Sequence, residues 1–166
     1  MSETYMSPLD RLSTTLNATI EKSLFVIGFS MAALVAVQVF FRYVLNHSLF
    51  WSEELARFLL IWLTFLGASV AYHRRAHPGI DMFSLLLPAC LKKSAVICVH
   101  LASIGLFSVM IVYGCQFAYF VRLQISPALY LPKWIIFGIV PFSGGVLMLH
   151  ALALFVRGLK EDSRGR

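Results

Sequence analysis

The sequence predicts an all-α integral membrane protein with four transmembrane helices and a short interfacial amphipathic helix between helices two and three. Of its 166 residues, 59% are hydrophobic and only 13% are charged, whereas about a quarter of the residues in soluble domains are charged. So few charged side chains cannot cover the surface of a water-soluble domain. Four apolar stretches, separated by basic residues, approach the length of a membrane-spanning helix. We therefore treat residues 1–166 as a single membrane domain.

The first two predicted spans differ in where their charged residues lie. Residues 23–44 form the first span, which follows Lys22 and is uncharged almost to its end. Residues 52–72 form the second, but its uncharged part covers only residues 58–72. These residues extend over roughly 22 Å of helix, which is less than the hydrocarbon core of about 30 Å. Arg57 must therefore lie at the membrane boundary or slightly inside it.

The second half of the chain holds two further spans, at residues 94–120 and 133–156. Pro141 lies inside the fourth span, where its missing N–H predicts a kink that neighbouring helices can accommodate. Residues 80–91, between the second and third spans, are too short to cross a membrane. Their apolar residues recur at helical spacing opposite polar ones, which predicts a short helix lying in the interface. The alternative is an apolar loop packed on the bundle.

The distribution of Lys and Arg predicts the orientation of the chain. With four spans, both termini lie on one side of the membrane, and that side collects ten of the 14 Lys and Arg residues. The other four are Arg42, Arg57, Arg122 and Lys133. Because Lys and Arg are enriched in cytoplasmic segments, both termini are expected in the cytoplasm.

Other features argue against the functions of soluble proteins. The net charge of +6 comes from basic residues between the apolar stretches, without the basic stripe and interleaved aromatic residues of a nucleic-acid-binding surface. The three cysteines have no C-x-x-C spacing, so we predict neither a disulfide framework nor a metal site. No catalytic residue is predicted, and the chain is not expected to be an enzyme or to bind a cofactor.

A cluster of ionisable residues begins the second span. Glu53 and Arg57 are four residues apart, and Glu54 and Arg57 are three apart, so both pairs can meet on one helix face. Ser52 is a residue type that caps helix starts. One interpretation is therefore a capped helix start with a local ion pair. Our preferred hypothesis is that the cluster fixes helix two against helix one or a partner, because ionisable groups in membrane spans are costly and tend to be functional.

Small residues recur along several spans. Gly28, Ala32 and Ala36 in the first span and Gly67 and Ala71 in the second are four residues apart and so share one helix face, whereas Ser143, Gly144 and Gly145 form a cluster in the fourth. Small residues allow helices to approach closely, either within one bundle or between two membrane proteins. The sequence does not distinguish these two uses.

The spans lack the polar groups that a transport path needs near the bilayer centre, and the chain has no internal inverted repeat. We therefore expect a subunit that supports another membrane protein. Two alternatives remain open. One is a membrane redox protein that holds a haem between His100 and His150. The other is an independent small exporter that acts as a homodimer.

Two longer segments carry a family resemblance. Residues 42–81 read RYVLNHSLFWSEELARFLLIWLTFLGASVAYHRRAHPGID, and residues 126–134 read SPALYLPKW. Together they cover about a third of the chain. In sequence and order they resemble the small permease subunit, of the DctQ type, of tripartite ATP-independent periplasmic (TRAP) transporters. The WSEELAR motif is the most specific part of the match.

The resemblance implies a role in sodium-coupled uptake across the bacterial inner membrane, among membrane lipids. Subunits of this type pair with a large permease subunit that carries the transport path, and with a periplasmic solute-binding protein that delivers an organic acid. The small subunit would act as a scaffold for the large one. The implied partner-interface residues are Arg42, Trp51, Ser52, Glu53, Glu54, Arg57, Trp62, Gly67 and His77. The implied periplasmic docking loop contains Ser126, Pro127, Pro132, Lys133 and Trp134.

Overall fold

The computed structural model describes the backbone of residues 8–74 and 89–164, and the side chains of residues 9–74 and 97–156. The helices in these ranges are α1 (Pro8–Tyr43), α2 (Phe50–His73), α3 (Ala89–Phe120), α4 (Lys133–Phe137) and α5 (Ile139–Arg164). Four stretches are long and apolar enough to cross a membrane: one each in α1, α2 and α3, and one across α4 and α5. The predicted fold class, an all-α chain with four potential membrane spans, is therefore confirmed.

Helix α1 begins well before the predicted first span. Pro8 opens the helix, a position where its missing N–H costs no hydrogen bond. The first turns bury polar side chains at helical spacing, namely Asp10, Ser13 and Asn17. These residues precede the predicted first span, which begins at residue 23. They are nevertheless helical, because α1 continues beyond its apolar part and packs this polar face against the rest of the bundle.

The connection between α2 and α3 lies largely outside the described residues. The short interfacial helix predicted for residues 80–91 is therefore not confirmed. The last residues of that range, from Ala89 onward, belong to α3 instead. His77, one of the predicted interface residues, also lies outside the described part of the chain.

The predicted fourth span is divided into two helices at Gly138. The Gly138 N–H donates to the Trp134 carbonyl oxygen at 2.8 Å, and the Phe142 N–H donates to the Gly138 oxygen at 3.2 Å. Between them, Pro141 has no N–H with which to reach the Phe137 carbonyl one turn earlier. Gly138 itself keeps a helical backbone, with φ −59° and ψ −18°, so the interruption between α4 and α5 lies in the hydrogen bonding, and the kink at Pro141 stays a prediction.

Helix α5 is central to the bundle, because it packs against α1, α2 and α3. Two glycines permit its close approach to α3. A Cβ at Gly144 would lie 3.1 Å from Ile111 Cγ1, and a Cβ at Gly114 would lie 2.9 Å from Pro141 Cδ. One buried cluster joins α1, α2 and α5 through Ile20, Leu66, Val70, Ile139 and Val146. A second joins α2, α3 and α5 through Tyr72, Phe107, Leu147 and Ala151.

The two ends of the bundle differ in what they carry. At one end, residues 44–49 connect α1 to α2, and residues 121–132 connect α3 to α4; we call this the loop end. The start of α1 and the end of α5 lie at the opposite end, which we call the termini end. The predicted ionisable cluster and the predicted docking loop both fall at the loop end.

Candidate functional site

The Glu54 carboxylate joins α2 to the loop that precedes α4. Its Oε2 atom accepts the Ala128 N–H at 2.8 Å and the Leu129 N–H at 3.2 Å. These groups are 74 and 75 residues apart in the sequence. Hydrogen bonds to an ionised carboxylate are stronger than those between neutral groups. Glu54 therefore acts as an anchor that holds this loop on the first turns of α2.

The loop also closes on itself through backbone hydrogen bonds. The Ser126 N–H donates to the Leu131 oxygen at 2.9 Å, and the Tyr130 N–H donates to the Ser126 oxygen at 3.1 Å. Tyr130 has a φ of 54°, the left-handed region that is uncommon for residues other than glycine. Its side chain is 80% exposed. The loop thus presents an aromatic side chain outward on a backbone that is fixed from several directions.

The remaining residues of the predicted docking loop lie beside these hydrogen bonds, at the same end of the bundle. Pro127 is exposed, and Pro132 is the last residue before α4, where its extended backbone ends the loop. The Lys133 Nζ atom donates to the Gln124 side-chain oxygen at 3.2 Å, across the base of the loop. Trp134, in the first turn of α4, is about half exposed. All five predicted loop residues therefore lie together at the loop end.

Glu53 contacts helix α1 rather than the loop. Its Oε1 atom lies 4.0 Å from Arg42 Nη1, and the two side chains are 49% and 60% exposed. This ion pair joins the last turn of α1 to the first turns of α2. Its long distance and high exposure make it a weak contact, since exposed ion pairs contribute about 0–1 kcal/mol.

Two details of the predicted cluster are wrong. Arg57 forms no ion pair with Glu53 or Glu54, because Glu53 is directed to Arg42 and Glu54 to the loop backbone. Ser52 is not the cap of α2, because the helix already begins at Phe50. Instead Ser52 is fully buried, and its hydroxyl donates to the Leu49 carbonyl oxygen at 2.7 Å.

The other predicted interface residues lie along α2, at different places. Trp51 is partly exposed at the loop end, whereas Trp62 packs against the cluster that joins α1, α2 and α5. A Cβ at Gly67 would meet no atom within 4 Å, so Gly67 faces away from the bundle. Gly28 differs, because a Cβ there would lie 3.5 Å from Leu63 Cδ1. Of the small residues in the first span, Gly28 is thus used within the bundle, whereas Ala32 and Ala36 are exposed.

A second polar cluster, at the termini end, was missed in the sequence. Ser13 Oγ lies 2.7 Å from His150 Nδ1, and the His150 and His73 rings are 4.8 Å apart. Nearby, Arg74 Nη2 lies 2.9 Å from Glu21 Oε1. A cavity of about 160 Å³ adjoins these groups. Because Ser13 and His150 are separated by 137 positions, only a pairing of α1 with α5 could have indicated their contact.

The histidines of the redox alternative have other neighbours. His150 is hydrogen-bonded to Ser13 and meets the His73 ring edge to face, while the His100 ring lies 6.0 Å from that of Phe155. Within the described ranges, no group of three or more His, Cys, Asp or Glu residues is placed to hold a metal ion.

Comparison with known proteins identifies the family. The family model for the DctQ component of tripartite ATP-independent periplasmic transporters matches residues 31–161. The sialic acid TRAP transporter small permease protein SiaQ of Vibrio cholerae is 38% identical over 91 residues, which cover 53% of each chain. The C4-dicarboxylate TRAP transporter small permease protein DctQ of the same organism is 31% identical over 93 residues, 54% of this chain and 40% of that one.

A third relative combines this kind of segment with a longer protein. The isethionate TRAP transporter permease protein DctMQ of Oleidesulfovibrio alaskensis is 29% identical over 149 residues, 82% of this chain but 23% of that protein. The chain thus spans about half the length of SiaQ and less of the other two relatives. The family match covers most of the chain and all four potential spans, in whole or in part. The protein belongs to the DctQ component family of TRAP transporters, and is a multi-pass inner-membrane transport component rather than an enzyme.

Proposed function

We propose that this chain is the small permease subunit of a TRAP transporter and scaffolds a large permease subunit during sodium-coupled uptake of an organic acid. A periplasmic binding protein would deliver the acid. The anchoring of the loop by Glu54 carries the proposal, because it makes an ordered surface at the end of the bundle where no transport chemistry is needed. The DctMQ relative supports it, since a similar segment there is part of a larger permease protein.

The placement of charges favours a scaffold over a transport path. Residues 23–41, 58–72, 97–120 and 139–156 contain no Asp, Glu, Lys or Arg. Charged groups in a membrane protein that moves ions or acids face a path near the bilayer centre. Here the charged groups lie towards the helix ends, where they join α1 to α2 and α2 to the loop. A partner subunit would then supply the path itself.

The orientation proposed for the chain places the loop end in the periplasm and both termini in the cytoplasm. The ten-to-four division of Lys and Arg supports it. The periplasmic binding protein would then meet the loop that Glu54 anchors, including Pro127, Lys133 and Trp134. Tyr130 adds an exposed aromatic side chain to this surface, and aromatic residues are enriched in the energetically important parts of interfaces.

The proposed substrate class is an organic acid. Three of the relatives are named after a substrate: sialic acid, a C4-dicarboxylate and isethionate. Each of these is an organic anion. The identity of the acid would be set by the binding protein and the large subunit, since residues 23–41, 58–72, 97–120 and 139–156 of this chain contain no Lys or Arg with which to bind an anion.

Reconstitution tests the proposed function directly. The chain and its cognate large permease subunit should co-purify, and proteoliposomes containing both should take up the acid when the binding protein and a sodium gradient are supplied. Vesicles that contain this chain alone should not transport. Transport by the chain alone would instead support the exporter alternative.

Cysteine labelling tests the orientation. In a background without native cysteines, Ala128→Cys should react with an impermeant reagent added outside intact cells, and Ser163→Cys should react only after lysis. The reverse pattern would contradict the proposed orientation.

A further inference from the structure

A groove of about 570 Å³ runs along one side of the bundle, between α1, α2 and α5. We call it the side groove. Leu66 of α2, which is buried, and Trp62, which is half-buried, form its inner surface. Val26 of α1 and Phe142 of α5 also line it, and they are 62% and 57% exposed. The side groove is therefore a cleft that is open to the surroundings of the bundle.

Two ion pairs between α1 and α2 indicate where the side groove lies in the membrane. Glu21 pairs with Arg74 at the termini end, and Arg42 pairs with Glu53 at the loop end. On each helix the two pairs are 21 positions apart, from 21 to 42 on α1 and from 53 to 74 on α2. This separation corresponds to about 31 Å of helix, close to the hydrocarbon core of about 30 Å. The Glu21–Arg74 pair therefore marks the boundary of the core at the termini end, and the next residue, Lys22, lines the side groove.

From this boundary the side groove extends into the core. Trp62 lies 12 positions before Arg74 in α2, or about 18 Å along the helix axis, which is beyond the middle of the bilayer. Among the described residues that line the groove, Lys22 alone is ionisable. Ordered water needs several polar partners, and the apolar length of the groove offers few of them. A hydrocarbon chain matches its lining.

Lys22 places a positive charge at the boundary end of the side groove. Its side chain forms no ion pair with a residue that the structure describes. The neighbouring Glu21 carboxylate is already engaged, because Oε1 accepts from Arg74 Nη2 at 2.9 Å and from Asn17 Nδ2 at 2.7 Å. An anion bound at this end of the groove would therefore meet the Lys22 ammonium group.

A cation at the boundary and an apolar cleft inside it together fit a phospholipid, which carries a phosphate at the boundary and acyl chains in the core. A free phosphate ion would use Lys22 and leave the apolar length unused. A helix of another protein approaches closely where small residues line the contact, whereas the exposed lining residues Val26 and Phe142 are bulky. A flexible acyl chain can follow such a surface.

We propose that the side groove binds an acyl chain of an anionic phospholipid in the leaflet at the termini end, and that Lys22 contacts the phosphate of that lipid. In the orientation proposed above this is the cytoplasmic leaflet, where anionic headgroups attract basic residues and bind in basic pockets between transmembrane helices. The inference goes beyond the proposed function and does not depend on it, because it requires no second subunit.

Quenching of Trp62 fluorescence tests for the acyl chain. The protein has three tryptophans, so the double variant Trp51→Phe/Trp134→Phe leaves Trp62 alone. This variant is reconstituted into phosphatidylcholine vesicles with increasing fractions of a lipid whose acyl chains are brominated. Brominated phosphatidylglycerol should reach half-maximal quenching at a fraction about fivefold lower than brominated phosphatidylcholine, the preference expected from one lysine at the membrane surface. Equal quenching by the two lipids would overturn the inference.

Lys22→Gln in the same background tests the headgroup contact. It should remove the preference for phosphatidylglycerol, whereas Lys133→Gln, at the loop end, should preserve it. A preference that survives in Lys22→Gln would show that this residue does not hold the lipid. Inorganic phosphate in excess should leave the quenching unchanged, and competition by phosphate would instead make Lys22 a site for free anions.

A matched pair of bulky substitutions tests the groove itself. Val26→Phe adds volume to the side groove, and Val37→Phe makes the same change on α1 outside the groove lining; the two valines are 62% and 46% exposed, so both variants should fold. Val26→Phe should weaken quenching by brominated phosphatidylglycerol, and Val37→Phe should not. Equal quenching in the two variants would contradict the proposal. Loss of quenching when the cognate large permease subunit is reconstituted in the same vesicles would also overturn it, by showing that a protein covers the groove.

Discussion

The two ends of the bundle use polar residues in opposite ways. At the loop end, Glu53 and Glu54 are partly exposed and reach groups that lie on the surface, namely Arg42 and the backbone of Ala128 and Leu129. At the termini end, Asp10, Ser13, Asn17 and His150 are buried between helices. The first arrangement shapes a surface, and the second joins helices that are far apart in the sequence.

The difference matters because burial sets the energetic importance of a polar contact. A buried polar group that loses its partner costs about 1–3 kcal/mol, whereas an exposed ion pair contributes about 0–1 kcal/mol. Changes at the termini end should therefore reduce the stability of the whole bundle. Changes at the loop end should instead leave the bundle folded and alter what its surface can bind.

The largest expected effect is that of His150→Ala. His150 is completely buried, and its Nδ1 atom shares one hydrogen bond with Ser13 Oγ at 2.7 Å. Its removal leaves a cavity and an unpaired Ser13 hydroxyl, and loss of a large buried side chain costs about 2–5 kcal/mol. Thermal unfolding in detergent should show a clearly lower midpoint. His47→Ala, at an exposed loop-end position, provides the control and should leave the midpoint unchanged; equal effects of the two substitutions would contradict the comparison.

Next in size is Ser13→Ala, which removes the hydroxyl and little volume. The His150 Nδ1 atom would remain buried without its partner, at a cost of about 1–3 kcal/mol. Ser23→Ala is the matched control in the same helix, because the Ser23 hydroxyl is exposed and donates to the Thr19 carbonyl oxygen within α1. In the double variant Ser13→Ala/His150→Ala, the destabilisation should be less than the sum of the two single effects, as for residues in direct contact. Additive effects would show that the Ser13–His150 contact contributes nothing.

The same contrast explains what the sequence could and could not predict. At the loop end, the WSEELAR motif and the SPALYLPKW loop are continuous segments, so their membership in one site could be proposed before the structure. The contacts of the charged residues could not be predicted, because spacing alone equally allows Glu53 and Glu54 to pair with Arg57. Whether Glu53 or Glu54 contacts the loop depends on how α2 packs against α4.

At the termini end, the sequence signal was misleading. Asp10, Ser13 and Asn17 recur at helical spacing, but they precede the apolar residues by which a buried helix face is normally recognised in a sequence. The break at Gly138 was partly predictable, since Pro141 indicates a disturbed helix without locating it. The outward placement of Gly67 was not predictable, because its pattern of small residues fits an internal and an external contact equally well.

A local effect is expected for Glu54→Ala at the loop end. The Ala128 and Leu129 amides would lose the carboxylate that accepts both of them, so the loop should open while the helices stay packed. Hydrogen exchange of these two amides should become faster, with little change in the amides of α5. Glu53→Ala is the matched control, because Glu53 makes no contact with the loop in the described structure. Unchanged exchange in Glu54→Ala would show that the loop is held by its own backbone bonds alone.

The smallest expected effects are those of the two ion pairs, which compare the ends most closely. Arg42 and Glu53 approach to 4.0 Å through a single atom pair, whereas Arg74 reaches the same Glu21 oxygen through Nη2 at 2.9 Å and Nε at 3.1 Å. Double-mutant cycles with Arg42→Gln and Glu53→Gln should give a coupling of about 0–1 kcal/mol. The Arg74→Gln and Glu21→Gln cycle should give a larger coupling, because its atoms are closer and Asn17 also donates to Glu21, at 2.7 Å. Both couplings should decrease as salt is raised, since both pairs are at the surface. A larger coupling at the loop end would reverse the proposed contrast, by showing that the Arg42–Glu53 contact tightens in the membrane and helps to hold α1 on α2.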